Sequence, residues 1–247
     1  MIKLIIFDLD DTLFRSKDSY KHILAEVISA KWSIKERLSV EAFSQTEDEM
    51  RDARDSKCIK EFYSEFNKKF LKKILGAYPT KEQFREFNEI LSEMKELSST
   101  KLKLYPSVKE VLKRLKDKGY KLAILTGSWG KKIENFSDPS YAKKNREILE
   151  KLLENSSISK LIDKMFITYE HGVGKPNTKA FEIVLKHFNV KPEESVMVGD
   201  KESDMLASCM GIFTVLFDPK GRYDGKTKPD HKITNFPELE LIIVSYN

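Results

Sequence analysis

Cysteine is nearly absent from this chain: Cys58 and Cys209 are the two in 247 residues, and no CxxC occurs. Two thiols so far apart make no disulfide framework, which excludes a small cross-linked scaffold and fits a reducing, cytoplasmic setting. Long apolar runs are missing too. Nothing approaches the roughly 20 residues of a membrane-spanning helix, so no membrane partner is expected. The apolar opening MIKLIIF stops at Asp8, short of a signal peptide's apolar stretch, and reads as a buried strand. Charge of one sign is also scarce. The 44 Lys and Arg face 39 Asp and Glu, leaving a net charge of +5. The lysines are scattered, with no basic tail and no zinc or RNA-binding signature, so no nucleic-acid partner is expected and the surface reads as charge-mixed and solvated. Internal repeats and low-complexity segments are absent as well.

What is present is enough for a core. Hydrophobic residues make up 40% and charged residues 34%, which excludes a disordered or fibrous chain. The length allows one large domain, or one domain with a smaller companion. Five short apolar runs recur, at residues 2–7, 121–125, 165–168, 195–198 and 213–217. Their near-continuous apolarity predicts strands buried on both faces, as in a parallel sheet. Helical patterns at 108–118, 143–153, 178–188 and 203–210 lie between them. The first of these carries a capping-box spacing, Ser107 to Glu110, and Gly119 at its end. Strands alternating with helices in this way predict an α/β fold.

The alternation fails from about Asp18 to Thr100, where apolar residues follow the helical period. Tyr20, Ile23, Leu24, Val27 and Ile28 form one stripe, Ile59, Phe62, Tyr63, Phe66 and Phe70 a second, and Phe84, Phe87, Ile90, Leu91, Met94 and Leu97 a third. Thr80 to Gln83 predicts a capping box for the last helix, and a weaker helix is expected near residues 40–53. A structureless loop of that length does not fit inside a compact domain, so the block reads as an inserted helical unit. The expected division is 1–15 with 104–247 for an α/β core and 16–103 for the insertion.

Chemistry-bearing residues gather where the apolar runs end. The first run leads into Asp8-Leu9-Asp10-Asp11-Thr12. Asp8 and Asp10 share a face in extended backbone, and two carboxylates that close demand either a proton or a cation. The second run ends at Thr126-Gly127-Ser128, a hydroxyl and a glycine suited to binding phosphate. Lys175-Pro176 follows the third run, placing a cation before a helix. The fourth leads into Gly199-Asp200-Lys201-Glu202-Ser203-Asp204, whose hard carboxylate oxygens suit Mg²⁺. In open α/β sheets ligands bind beyond the carboxyl ends of the strands, which is where all four sets fall.

This ordered set resembles the four motifs of the haloacid dehalogenase superfamily. The helical block resembles that family's helical cap of the first class. The resemblance implies a Rossmann-like, doubly wound parallel sheet with an inserted all-α cap, and a Mg²⁺-dependent phosphatase acting on a small-molecule phosphate monoester. It further implies Asp8 as nucleophile, forming an aspartyl-phosphate, and Asp10 as general acid and base. Mg²⁺ would lie between Asp8, Asp200 and the carbonyl of Asp10, with Asp204 orienting its water shell or binding it directly. Thr126 and Gly127 would hold the phosphoryl oxygens, Lys175 would neutralise charge, and Thr12 would anchor the loop. Asp10 separates this reading from the family's 2-haloacid dehalogenases, which lack an aspartate there. A phosphomutase using the same nucleophile is the alternative, with a non-catalytic binding module behind it. Two departures stand out. Asp11 replaces the glycine of many relatives, and the polar stretch 128–160, with Trp129 beside the expected phosphate site, is longer than usual. The oligomeric state is not readable from these residues.

Overall fold

The computed structural model describes residues 1–50, 59–127, 139–175 and 177–246. Cys58, Trp129 and Pro176, and residues 51–53 of the weak helix expected at 40–53, lie outside them. Six strands form the sheet: β1 (Leu4–Phe7), β2 (Lys121–Thr126), β3 (Lys164–Ile167), β4 (Ser195–Gly199), β5 (Phe213–Phe217) and β6 (His231–Ile233). Their order is β3-β2-β1-β4-β5-β6, with every pair parallel. The five apolar runs are all strands, and every residue of β1, β4 and β5 is buried.

Helices on both faces explain that burial. Leu4, Ile6, Ala123, Leu125 and Met197 pack with Phe181 and Val184 of a helix at Thr178–Phe188. On the other face, Phe7 stacks on Phe236, with ring centroids 6.3 Å apart. Phe236 opens a C-terminal helix, Phe236–Tyr246, that the apolar pattern did not reveal. Nor did it reveal β6, whose sequence is His-Lys-Ile, with the first two residues exposed at the sheet edge. Tertiary bonds set this strand in place: the Asp230 carboxylate, just before it, accepts from the Thr214 N–H at 2.7 Å and hydroxyl at 2.8 Å.

Two local expectations are corrected. The helix at Val108–Asp117 forms, but Ser107 does not cap it through its side chain. Ser107 lies in the left-handed region, at φ 63°, whereas a capping side chain needs extended backbone. The predicted end is right, because Gly119 adopts φ 89° and its N–H and that of Tyr120 bond back to Lys116 and Leu115. The helix expected at 203–210 is α-helical only over Glu202–Met205 and continues as a 3-10 turn, Leu206–Met210. There the Ser208 hydroxyl takes the Met205 carbonyl at 2.9 Å, competing with regular helix bonding.

The described residues form two compact units, Met1–Arg15 with the chain from Lys103 onward, and Ser16–Leu102. The second unit is all helical: α1 (Ser16–Trp32), α2 (Glu36–Glu49), α3 (Ile59–Leu75) and α4 (Lys81–Lys101). Leu24, Val27, Ile28, Phe62, Phe66, Phe70, Phe87 and Ile90, drawn from the three predicted stripes, make its core. Thr80 caps α4 as expected: its hydroxyl accepts from the Gln83 N–H at 3.2 Å, and its own N–H donates to Gln83 Oε1 at 2.9 Å. The core unit numbers its helices on from here as α5 (Val108–Asp117), α6 (Pro139–Asn155), α7 (Thr178–Phe188), α8 (Glu202–Met205) and α9 (Phe236–Tyr246). Among the described residues, no helix is long and apolar enough to cross a membrane.

Candidate active site

The strand order reverses direction between β1 and β4, so the chain leaves two adjacent strand ends in different directions and opens a crevice there. Asp8 follows β1 and Asp200 follows β4. The Asp8 N–H donates to the Val198 carbonyl at 2.9 Å, holding the two ends in register. Past Asp8 the chain turns at once, with the Leu13 and Phe14 N–H groups bonding to the Leu9 carbonyl and the Asp11 N–H to that of Phe14. Asp11 sits at φ 58°, in the left-handed region. That accounts for the residue types suited to this position: glycine enters the region freely, and aspartate tolerates it better than most. These backbone bonds hold the turn. The Thr12 hydroxyl is buried with no hydrogen-bond partner among the described residues, so it is not the anchor it was expected to be.

Lys175 arrives from β3 through a 3-10 turn, Thr168–His171, and Gly172 at φ 65°. Its side chain is 8% exposed. The ammonium donates to the Asp8 carboxylate, to Asp204 Oδ1 at 2.7 Å and to the Leu125 carbonyl at 3.0 Å. Three donors thus meet three acceptors. Burial alone would lower the pKa of this amine, but the Asp204 and Asp8 carboxylates outweigh it and raise the pKa above the ordinary lysine value. The bond to Leu125 also ties in the end of β2, where the next residue, Thr126, is buried and Gly127 follows. A Cβ at Gly127 would stand 3.4 Å from Thr168 Oγ1, an ordinary contact.

Among the described residues, Asp8, Asp200 and Asp204 bring one carboxylate oxygen each to within 4.8 Å of one another. Gly199 makes this possible. A Cβ there would lie 2.4 Å from the Asp204 side chain, which occupies that space. Asp200 Oδ1 is buried without a hydrogen bond; Lys201 Nζ approaches it at 3.2 Å. Burial, reinforced by Asp8, Asp204 and Asp11 against the opposing Lys201, pushes the Asp200 pKa up to about 8. Burial and Asp8 likewise raise that of Asp204, against Lys175. Crowded, buried oxygens with an unsatisfied lone pair form a donor set that a hard divalent cation fits.

Of the expected site residues, Asp8, Lys175, Asp200 and Asp204 therefore converge, and Thr126 and Gly127 close the neighbouring strand. Asp10 is half-buried on the turn, where it is backbone-bridged to Phe14, and its carboxylate is outside the group of three. The Leu125 carbonyl and the flanking Lys201 were not foreseen. No sequence signal marks a carbonyl, and Lys201 looks like any surface lysine.

Comparison with known proteins shows the family. The model of the haloacid dehalogenase-like hydrolase family matches residues 2–208. The chain is 32% identical to a glyceraldehyde 3-phosphate phosphatase of Pyrococcus furiosus, over 100% of this chain and 95% of that one. A HAD phosphatase structure from Thermococcus onnurineus superposes with a TM-score of 0.61 at 25% identity, covering 98% of both chains. A HAD hydrolase of Bacillus subtilis, solved with magnesium, reaches a TM-score of 0.74 at 15% identity, again over 98% of both, a likeness of fold.

Proposed function

Because the chain belongs to the haloacid dehalogenase-like hydrolases, in their phosphatase branch, we propose that it hydrolyses a small-molecule phosphate monoester through a phosphoryl group carried on Asp8, with Mg²⁺ as cofactor. The observation that carries this reading is the convergence of Asp8, Asp200 and Asp204, with the buried Lys175 bonded to Asp8 and Asp204. Asp8 supplies a carboxylate oxygen to phosphorus, and the bond from phosphorus to the leaving alcohol oxygen breaks. Asp10 gives that oxygen its proton. Water then attacks the phosphorus of the aspartyl-phosphate, Asp10 takes a proton from it, and phosphate leaves as Asp8 is restored. Lys175, already bonded to Asp8, holds positive charge beside the phosphoryl oxygens, while the Thr126 hydroxyl and Gly127 N–H orient them. Asp8, Asp200, Asp204 and the Asp10 carbonyl would hold the cation, whose charge would offset the repulsion between carboxylates and phosphoryl group.

Residues 1–15 and 104–247 serve in this reading as the catalytic core and 16–103 as the cap. A three-carbon phosphate is the first substrate to assay, since the relative just described is named for glyceraldehyde 3-phosphate. The test is release of phosphate from that ester and from p-nitrophenyl phosphate, with and without Mg²⁺, by wild type and Asp8→Asn. Turnover that needs Mg²⁺ and falls at least about 10³-fold in the variant is expected. Equal turnover by Asp8→Asn would rule out the aspartyl-phosphate route.

A further inference from the structure

Glu202 lies between the two carboxylates that follow β4, two residues after Asp200 and two before Asp204, yet it does not join them. Its carboxylate turns instead to the loop between β5 and β6. It accepts from the Tyr223 hydroxyl at 2.7 Å, from the Thr227 N–H at 3.0 and 3.1 Å through its two oxygens, and from the Thr227 hydroxyl. Tyr223 Oη lies 2.7 Å from the Thr227 carbonyl as well, so the three residues form one closed network. The loop leaves little room for alternatives. A Cβ at Gly225 would lie 2.2 Å from Glu202 Oε2 and 2.4 Å from the Tyr223 ring.

The loop is itself fastened to the sheet. The Asp218 carboxylate accepts from the Arg222 N–H at 2.7 Å and the Tyr223 N–H at 3.2 Å, and pairs with Lys232 Nζ at 2.6 Å. Asp230 fastens the other end to Thr214 of β5. Glu202 therefore joins the one-turn helix α8, which carries Asp204, to a brace built on β5 and β6. Asp204 is itself held by Lys175 and by the Lys201 N–H at 3.3 Å, but α8 is a four-residue helix running straight into a 3-10 turn, and the brace adds a second hold on the segment that sets two like-charged carboxylates side by side.

We propose that Glu202, held by Tyr223 and Thr227, is a positioning residue for Asp200 and Asp204 that sets the affinity of the site for Mg²⁺ without touching the ion. The inference rests on the reading of that carboxylate group as a divalent-cation site. Groups outside a metal's ligand shell that orient its ligands commonly change affinity by about 10–100-fold.

Calorimetric titration of Mg²⁺ into the metal-free full chain tests this, using wild type, Glu202→Ala and Tyr223→Phe, with the unfolding temperature of each in EDTA as control. The expected result is a Kd about tenfold weaker for Glu202→Ala and a smaller weakening for Tyr223→Phe, at metal-free unfolding temperatures close to that of wild type. A wild-type Kd in both variants overturns the proposal, including where the unfolding temperature falls, because Glu202 is then a stability residue only. Should Glu202→Ala fail to fold, Tyr223→Phe decides alone. Absence of Mg²⁺ binding in wild type overturns the cation reading itself, an outcome distinct from equal binding by all three proteins.

Discussion

Lys175 and its two carboxylates are the most sensitive feature of the site. The ammonium pairs with both Asp8 and Asp204, each of them buried. Lys175→Met keeps the volume but leaves two carboxylates facing each other. Breaking a buried pair from one side costs about 3–5 kcal/mol, so the variant should lose about 3 kcal/mol in urea denaturation as well as turnover. Mg²⁺ should restore more stability to it than it adds to wild type. Gly199 is constrained differently. With Asp204 atoms 2.4 Å from where a methyl would stand, Gly199→Ala must push Asp204 or β4 aside. Weaker Mg²⁺ binding and a destabilisation of about 1–3 kcal/mol are expected, read by titration and by urea denaturation. Asp8 and Lys175 could be named from residue type and order alone. The need for glycine at 199 could not, because it depends on where a side chain five residues later comes to rest.

The helix starts make a matched pair of tests. Thr80 and Ser107 look alike in sequence, each a hydroxyl three residues before Gln83 or Glu110. Only Thr80 caps, because only Thr80 has extended backbone, at φ −68° and ψ 166°. Thr80→Ala should therefore cost about 1 kcal/mol. Ser107→Ala loses no cap, and Ser107→Gly should stabilise by up to about 1 kcal/mol, because φ 63° disfavours a Cβ. Chemical denaturation of the three variants separates these outcomes. The spacing was legible, but the conformation at Ser107 was set by the turn that enters the helix, where the Val108 N–H bonds to the Tyr105 carbonyl. Strands were easier to read, since a strand buried on both faces must be apolar throughout. β6 escaped because an edge strand is under no such demand.

The whole molecule couples its layers through a few charges. The Asp163 carboxylate accepts from the Leu122 N–H at 2.8 Å and pairs with Lys116 of α5 at 2.5 Å, joining helix to sheet. Partial burial works to raise its pKa, but that backbone bond and the two lysines, Lys116 and Lys121, prevail and hold it below the ordinary 3.8. A folded-state pKa below the unfolded one contributes stability that is present above the unfolded value and is lost as pH falls through the folded one. Asp163→Asn should consequently lower stability at pH 7 and flatten its decline below about pH 4, as measured by urea midpoints across that range. The net charge of +5 acts at longer range. It should draw in anionic esters, so kcat/KM for a phosphate ester should fall severalfold from low to 0.2 M salt; a flat profile would remove steering from the account.

Residue types in order along the chain determined the family, the parallel sheet, the inserted helical block and the residues at the strand ends. They could do so because burial on both faces, helical period and phosphoryl chemistry each leave a local mark. What only the tertiary structure decided is how those residues act on one another. Lys175 meets Asp8 across 167 positions, burial together with the Asp8, Asp204 and Asp11 carboxylates pushes the Asp200 pKa up to about 8 against Lys201, and Glu202 turns from the carboxylate group to a distant loop. Electrostatic and steric effects depend on separation in space and on exclusion of water, and neither quantity exists until the chain has folded.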